Sequence, residues 1–330
     1  MACSHADLPQ LPGERFLTNS GLETDLIFHH GYALPLFASF PLVDDPRGRG
    51  SLRHFFRQHA DLAAASGMGV VLDTPTWRAS SWWATQLGYT SRELADVNRR
   101  AVAMLAEMRD EGGESARPLV ISGCIGPSGD GYHPGGSMTP DEAQRYHADQ
   151  IATFSDSEVD LVSAFTLTYA NEAIGIVRAA QHAGLPVVIS FTVETDGRLP
   201  DGSTLRGAIT KVDDLTDGAA AYFGVNCAHP THFAGVLEVG AKWTRRIGMI
   251  KANASTKSHV ELDGTTELDA GDPSLLGLAY ARLQAVLPSV TVLGGCCGTN
   301  IRHLRAIVSA IEQLRVASGD HSSQPVAPAD

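Results

Sequence analysis

The sequence predicts an α/β protein of the (β/α)8, or TIM-barrel, class, folded as a single domain. Three observations carry this expectation. Eight short apolar, β-branched runs recur along the chain, each apolar on both parities, as parallel strands covered on both faces are. Segments with helical periodicity and recognisable caps separate them. The 330 residues, 43% hydrophobic and 19% charged, also supply the core of a single α/β barrel, which takes about 250 residues.

In order, the expected strands are Phe16–Asn19, Val70–Asp73, Leu119–Ser122, Leu161–Phe165, Val187–Phe191, Tyr222–Asn226, Ile247–Ile250 and Val290–Leu293. The first full helix is expected from Ser51, as N-cap, to Ser66, stopping at Gly67. Thr90-Ser91-Arg92-Glu93 and Thr139-Pro140-Asp141-Glu142 have the form of capping boxes, the second with proline at the first helical position. Asn171–Ala183 runs to Gly184 and then Pro186, which reads as helix, glycine cap, next strand. Residues 273–287 and 300–315 complete the helices. Residues 1–13 are expected to be an N-terminal extension, 14–316 the barrel, and 317–330, rich in Ser, Pro, Asp and Ala, a fraying tail.

Competing architectures lack their signatures. Gly129-Asp130-Gly131-Tyr132-His133-Pro134-Gly135 has the wrong spacing for a dinucleotide fingerprint and does not open a helix at once. No phosphate-cradling glycine loop ending in Lys-Ser or Lys-Thr occurs. A formal net charge of −12 argues against nucleic acid or an anionic membrane as partner. No stretch approaches a membrane span, and no basic or apolar leader opens the chain. Five cysteines are too few for a disulfide framework, so the cytosol is the expected compartment.

In such a barrel the reactive groups gather at the C-terminal ends of the strands. Those ends read Asn19-Ser20-Gly21, Asp73-Thr74, Cys124, Thr166, Glu194, Asn226-Cys227, Asn253 and Cys296-Cys297. Three of the cysteines thus reach one mouth. Three thiolates make a soft, anionic site suited to zinc, with a fourth position open to water or substrate. A thiol entering that position would lose its proton and become a nucleophile at neutral pH. Neighbours in a strand point to opposite faces, so Cys296 and Cys297 can share an ion only if Gly294, Gly295 and Gly298 break the extended geometry. Blander readings stand beside this one. Cys124 is a small core residue, Cys3 sits in the extension, and Cys296–Cys297 could form a strained vicinal disulfide. His229 and His232 are rival ligands, although Pro230 works against a regular helix there. Asp44-Asp45 and Asp213-Asp214 read as solvated loop charges. Trp77, Trp82 and Trp83 read as barrel packing or as a wall or cage for a methylated onium group.

Gly224-Val225-Asn226-Cys227, followed far downstream by Gly294-Gly295-Cys296-Cys297-Gly298-Thr299, resembles the homocysteine S-methyltransferase family. The resemblance extends over about residues 14–315 and includes Asn19–Leu26, Ser66–Gly69 and Thr74–Ser80. It implies zinc-dependent methyl transfer on a (β/α)8 barrel, with Cys227, Cys296 and Cys297 as ligands. Homocysteine sulfur would take the fourth position and accept a methyl from a sulfonium or quaternary ammonium donor, giving methionine. Asn226 would support the zinc loop, and Ser20 and Gly21 backbone groups would approach the amino-acid substrate. The chain departs from the family pattern at Asn19, which replaces an Asp, at Ser20, which replaces a Gly, and at Thr166, which replaces a Glu that holds the homocysteine ammonium. A hydroxyl cannot pair an ammonium as a carboxylate does. Glu23, Asp73 or Glu194 would then hold homocysteine, beside Thr74 on the same rim. The alternatives are another thiol acceptor, a catabolic demethylase role, or a non-catalytic zinc or redox-sensing barrel. The methyl donor and oligomeric state are left open by the sequence.

Overall fold

The computed structural model describes residues 8–11, 13–113, 117–131, 137–263 and 265–318. Cys3, most of the expected extension, part of the 129–135 glycine segment, and the tail from residue 319 lie outside the described residues.

Eight parallel strands close into a barrel in sequence order: β1 Phe16–Thr18, β2 Gly69–Asp73, β3 Leu119–Ile125, β4 Leu161–Leu167, β5 Val187–Phe191, β6 Tyr222–Asn226, β7 Ile247–Ala252 and β8 Val292–Gly295. Around it run α1 Leu22–Phe28, α2 Pro46–Ala65, α3 Ser81–Gln86, α4 Ser91–Glu111, α5 Pro140–Ser155, α6 Ala170–Ala183, α7 Leu205–Leu215, α8 Pro230–Phe233, α9 His259–Asp263, α10 Pro273–Val286 and α11 Ile301–Ser318. The expected fold class is the observed one. Among the described residues, no helix is long and apolar enough to cross a membrane.

Both capping boxes form, at Thr90 with Glu93 and at Thr139 with Glu142. Gly184 takes the left-handed conformation that ends α6. The start of α2 differs from expectation. Asp45 is its N-cap, accepting from the Gly48 amide at 2.6 Å, so Ser51 lies inside the helix. The two glycines before Ser51 suggest a loop, but Gly48 is there because a side chain would run into Leu42. The acidic pairs are likewise engaged rather than merely solvated. Asp44 takes a two-pronged bond from Arg100, and Asp213, inside α7, takes one from Arg246.

Two apolar clusters result. One lies between strands and helices. The other fills the barrel interior with Phe16, Val71, Val120, Leu161, Val188, Tyr222, Met249 and Val292, joined by Leu8. Gln10 donates to the Tyr222 hydroxyl at 3.4 Å and accepts from Thr291 at 3.0 Å, so the segment before β1 closes the floor. At the opposite end the inward positions turn polar: Thr18, Asp73, Ser122, Ser163, Ser190, Asn226 and Lys251 are all buried. Three strands run further than their sequence patterns suggest. β3 reaches Ile125, β7 reaches Ala252, and β4 reaches Leu167 across a register shift after Ala164. β8 starts later, at Val292, because the Val290 amide bonds back to Leu287 and belongs to the turn closing α10.

Candidate active site

The cysteines gather where β6 and β8 end. Cys227 follows β6 with φ of 54°, a left-handed conformation that costs a side-chain-bearing residue about 1–2 kcal/mol. Its carbonyl is held by the His259 Nε2 at 2.6 Å, the Asn253 Nδ2 at 3.0 Å and the Thr192 hydroxyl at 3.4 Å. After β8, the Cys296 amide donates to the Ala252 carbonyl at 2.8 Å. The Cys297 carbonyl accepts from the Ala254 amide at 3.0 Å, and Gly298 turns the chain with φ of 78°. Gly21 packs directly on the Cys296 carbonyl, where no larger residue fits.

One sulfur from each of Cys227, Cys296 and Cys297 falls in a group spanning no more than 4.8 Å. Cys227 and Cys297 sulfurs are 3.9 Å apart, and Cys227 is disulfide-paired with Cys296. The pairing therefore joins β6 to β8 rather than the two adjacent cysteines. Beneath them, the Thr166 amide donates to Asn226 Oδ1 at 2.9 Å, and Asn226 Nδ2 donates to the Thr166 hydroxyl at 2.8 Å. That exchange holds Thr166 at φ of 61° and sets Asn226 Nδ2 4.0 Å from the Cys296 sulfur.

The sulfurs open into a pocket of about 260 Å³ at the barrel mouth. Of the residues singled out from sequence, Asn19, Ser20, Gly21, Glu23, Asp73, Thr74, Thr166, Asn226 and the three cysteines line it, and Glu194 does not. Glu194 instead accepts from His259 Nδ1 at 3.1 Å, behind the Cys227 loop. Several lining residues serve the framework. Asn19 donates to the Asp73 carbonyl and accepts from the Asp73 amide, at 2.9 and 3.3 Å, tying β1 to β2. The Thr74 hydroxyl accepts from the Cys124 amide at 2.9 Å and donates to the Thr76 hydroxyl, which donates on to the Cys124 carbonyl.

The backbone amides of Ser20 and Gly21, expected to face substrate, already have partners. Gly21 donates to Thr299, and Ser20 donates from its amide and hydroxyl to His59 Nε2 at 3.1 and 2.9 Å. His59 Nδ1 donates to the Phe55 carbonyl at 2.7 Å, which leaves Nε2 as acceptor and fixes the neutral tautomer. Burial lowers the His59 pKa to about 4, so it stays neutral at physiological pH. Glu23 accepts from Ser39 at 2.7 Å, and burial raises its carboxyl above the usual range.

Of the tryptophans, Trp77 lines the pocket as part of its wall. Arg78 lies over the rings of Trp77 and Trp83, at 4.1 and 3.5 Å from their centroids, while Trp82 is half exposed on the outside. His229 is no member of the sulfur group; its Nδ1 bonds Thr231, and burial lowers its pKa to about 4. Cys124 belongs to the interior cluster and also lines the pocket, and burial pushes its thiol well up.

Lys251, His59, His259 and Arg78 are functional-site neighbours that strand-end reading passed over. Lys251 had a signal: a charged residue two positions beyond Met249, on the inward parity of an apolar strand. His59 and His259 had none, since each is an ordinary helical histidine until the loop it touches is in place.

Comparison with known proteins points to one family. The sequence profile of the homocysteine S-methyltransferase family matches residues 49–311. Homocysteine S-methyltransferase 4 of Zea mays is 26% identical over 80% of this chain and 81% of its own length. Homocysteine S-methyltransferase 2 of Arabidopsis thaliana is 23% identical over 92% and 95%. Among solved structures, the oxidized form of the homocysteine methyltransferase MmuM from Escherichia coli superposes with a TM-score of 0.67, at 18% identity, over 89% of this chain and 96% of that one.

Proposed function

The chain belongs to the homocysteine S-methyltransferase family and is a methyltransferase, and from that premise we propose that it moves a methyl group from an onium donor to homocysteine at a zinc centre held by Cys227, Cys296 and Cys297. The observation that carries the reading is the sulfur geometry: three soft ligands within 4.8 Å of one another, at the wall of a pocket. That donor set fits zinc with one position left for an incoming thiol. Bound there, zinc would supply the acidity that lets the acceptor enter as thiolate near neutral pH.

The protein's own groups do the rest. The Asn226–Thr166 exchange and the three donors on the Cys227 carbonyl fix the sulfurs. Phe37, Trp77 and Phe165 give the pocket an apolar wall that keeps water from the developing neutral products. The acceptor sulfur attacks in line; the new sulfur–methyl bond forms as the methyl–onium bond breaks, and its electron pair leaves with the demethylated donor. A reduced, cytosolic setting suits a centre whose cysteines must stay reduced to bind as thiolates.

Elemental analysis of freshly reduced protein should find near one zinc per chain. The same sample should form methionine from homocysteine with one of betaine, S-methylmethionine, S-adenosylmethionine or a dimethylsulfonium compound. Cys297→Ser should remove both zinc and turnover while far-UV circular dichroism stays that of a folded barrel. Full retention of zinc by that variant would overturn the ligand assignment.

A further inference from the structure

We propose that the buried Lys251–Asp73 pair is the specificity element of the pocket, selecting a thiol acceptor with an amino-acid head group and meeting its carboxylate with Lys251. The proposal rests on the reading above, that the cysteine centre activates a thiol.

Lys251 Nζ lies 2.6 Å from Asp73 Oδ2, with both side chains under one-tenth exposed. Taking two charges out of water costs several kcal/mol, and a packed apolar pair is commonly as stable, so an ion pair at this depth invites a role beyond stability. The surroundings are built to hold it. Asp73 Oδ2 also accepts from Thr18 at 3.0 Å, and Asn19 grips the Asp73 backbone. The ammonium stands 4.4 Å over the Phe165 ring. Gly294 keeps this corner open, since a methyl group there would run into Thr18 Cγ2 and, at 2.9 Å, the Asn19 carbonyl, and would crowd Lys251 Cγ at 3.1 Å.

The pair is engaged on one side only. An ammonium has three N–H donors; among the described residues, Lys251 gives one hydrogen bond, to Asp73. Asp73 Oδ2 receives both bonds, from Thr18 and Lys251. Both residues line the pocket, so the remaining donors and Asp73 Oδ1 belong to its surface.

Placement connects the pair to the sulfurs. Lys251 is in register with Asn226 on β6 and Gly294 on β8, the strands that deliver Cys227 and Cys296. The Cys227 amide donates to the Lys251 carbonyl at 3.2 Å. Only two methylenes separate homocysteine's sulfur from its α-carbon. A sulfur held at the cysteines therefore keeps its ammonium and carboxylate inside the mouth, where the opposed charges of Asp73 and Lys251 match them. Thr166 cannot serve instead, because its hydroxyl is a neutral group bonded to Asn226.

The test measures thiol binding by calorimetry on reduced, zinc-loaded protein with homocysteine, 3-aminopropane-1-thiol and 4-sulfanylbutanoate. Lys251→Met should weaken the two carboxylate-bearing thiols by roughly 10- to 100-fold, as loss of a charged hydrogen bond does, and leave the aminothiol within about threefold. If the single variant folds poorly, Asp73→Asn combined with Lys251→Met removes the stranded carboxylate, and comparison with Asp73→Asn alone reports the same contrast: a further loss for the two carboxylate-bearing thiols and none for the aminothiol. An equal loss for all three thiols, or no loss for homocysteine, overturns the assignment. If wild type forms methionine from homocysteine and Lys251→Met binds all three thiols as wild type does, only this inference fails. If wild type binds none of the thiols, the thiol-activating reading falls as well.

Discussion

Replacing His259 by alanine should weaken zinc binding without unfolding the barrel, and the size of the effect follows from one carbonyl. The Cys227 oxygen has three donors, of which His259 Nε2 is the shortest at 2.6 Å. Alanine leaves Asn253 and Thr192, so the oxygen is not orphaned and the folding cost stays at about 1–2 kcal/mol. Glu194, one-third exposed on its side chain, turns to water when its histidine partner goes. What is lost is the grip on a residue held at φ of 54°, where relaxation toward an ordinary conformation swings the sulfur away from Cys296 and Cys297. Residues that orient a metal ligand in this way typically contribute 10- to 100-fold, about 1.4–2.7 kcal/mol, in affinity. Competition with a chromophoric chelator on reduced protein measures it directly, and urea unfolding of the metal-free form separates grip from global stability. His259→Gln, whose amide N–H reaches toward the same carbonyl, should recover part of the loss. Zinc affinity within about twofold of wild type in His259→Ala would refute the reasoning, because the contact would then be packing and not positioning.

Two further outcomes follow. Mild oxidation should abolish zinc binding and turnover and yield a Cys227–Cys296 crosslinked peptide, with Cys297 alkylated by a thiol reagent and reductant plus zinc restoring both; a Cys296–Cys297 crosslink would contradict the observed pairing. His59, lowered to about 4 by burial, binds its proton more weakly folded than unfolded, where the ordinary value is about 6.5. Its penalty is absent above that pH and grows as pH falls from 6.5 toward 4, to roughly 3 kcal/mol. His59→Gln should flatten the fall in urea stability between pH 7 and 5; an unchanged slope would mean His59 is protonated in the fold.

The barrel was legible because its pattern is local. Each strand announced itself by a short apolar run, and each clear helix start by a cap within four residues, as at Thr90 and Thr139. Where the signal crossed elements, it failed. The helix was begun at Ser51, past the first turn of α2, because Gly48 there answers to Leu42, a contact between separate segments. β7 was read two residues short because Lys251 interrupts an apolar run, and its charge is acceptable only opposite Asp73 on β2.

The site divides along the same line. Cysteine positions at the ends of β6 and β8 could be read because the fold class alone brings those ends together. The roles of the residues around them could not, since each depends on a partner chosen by three-dimensional packing. Ser20 lines the pocket as expected, but its amide and hydroxyl are engaged by His59, from α2, which no motif announces. Glu194 looked like a substrate contact until His259 turned it toward the back of the Cys227 loop. In both places a strand-end residue points to a histidine with no motif of its own, and the histidine acts on a backbone group and not on the reacting atoms. Sequence reading thus finds the groups that touch chemistry and misses those that hold them. The latter are needed here because Cys227 and Thr166 both occupy left-handed conformations, which persist only where hydrogen bonds over-determine them.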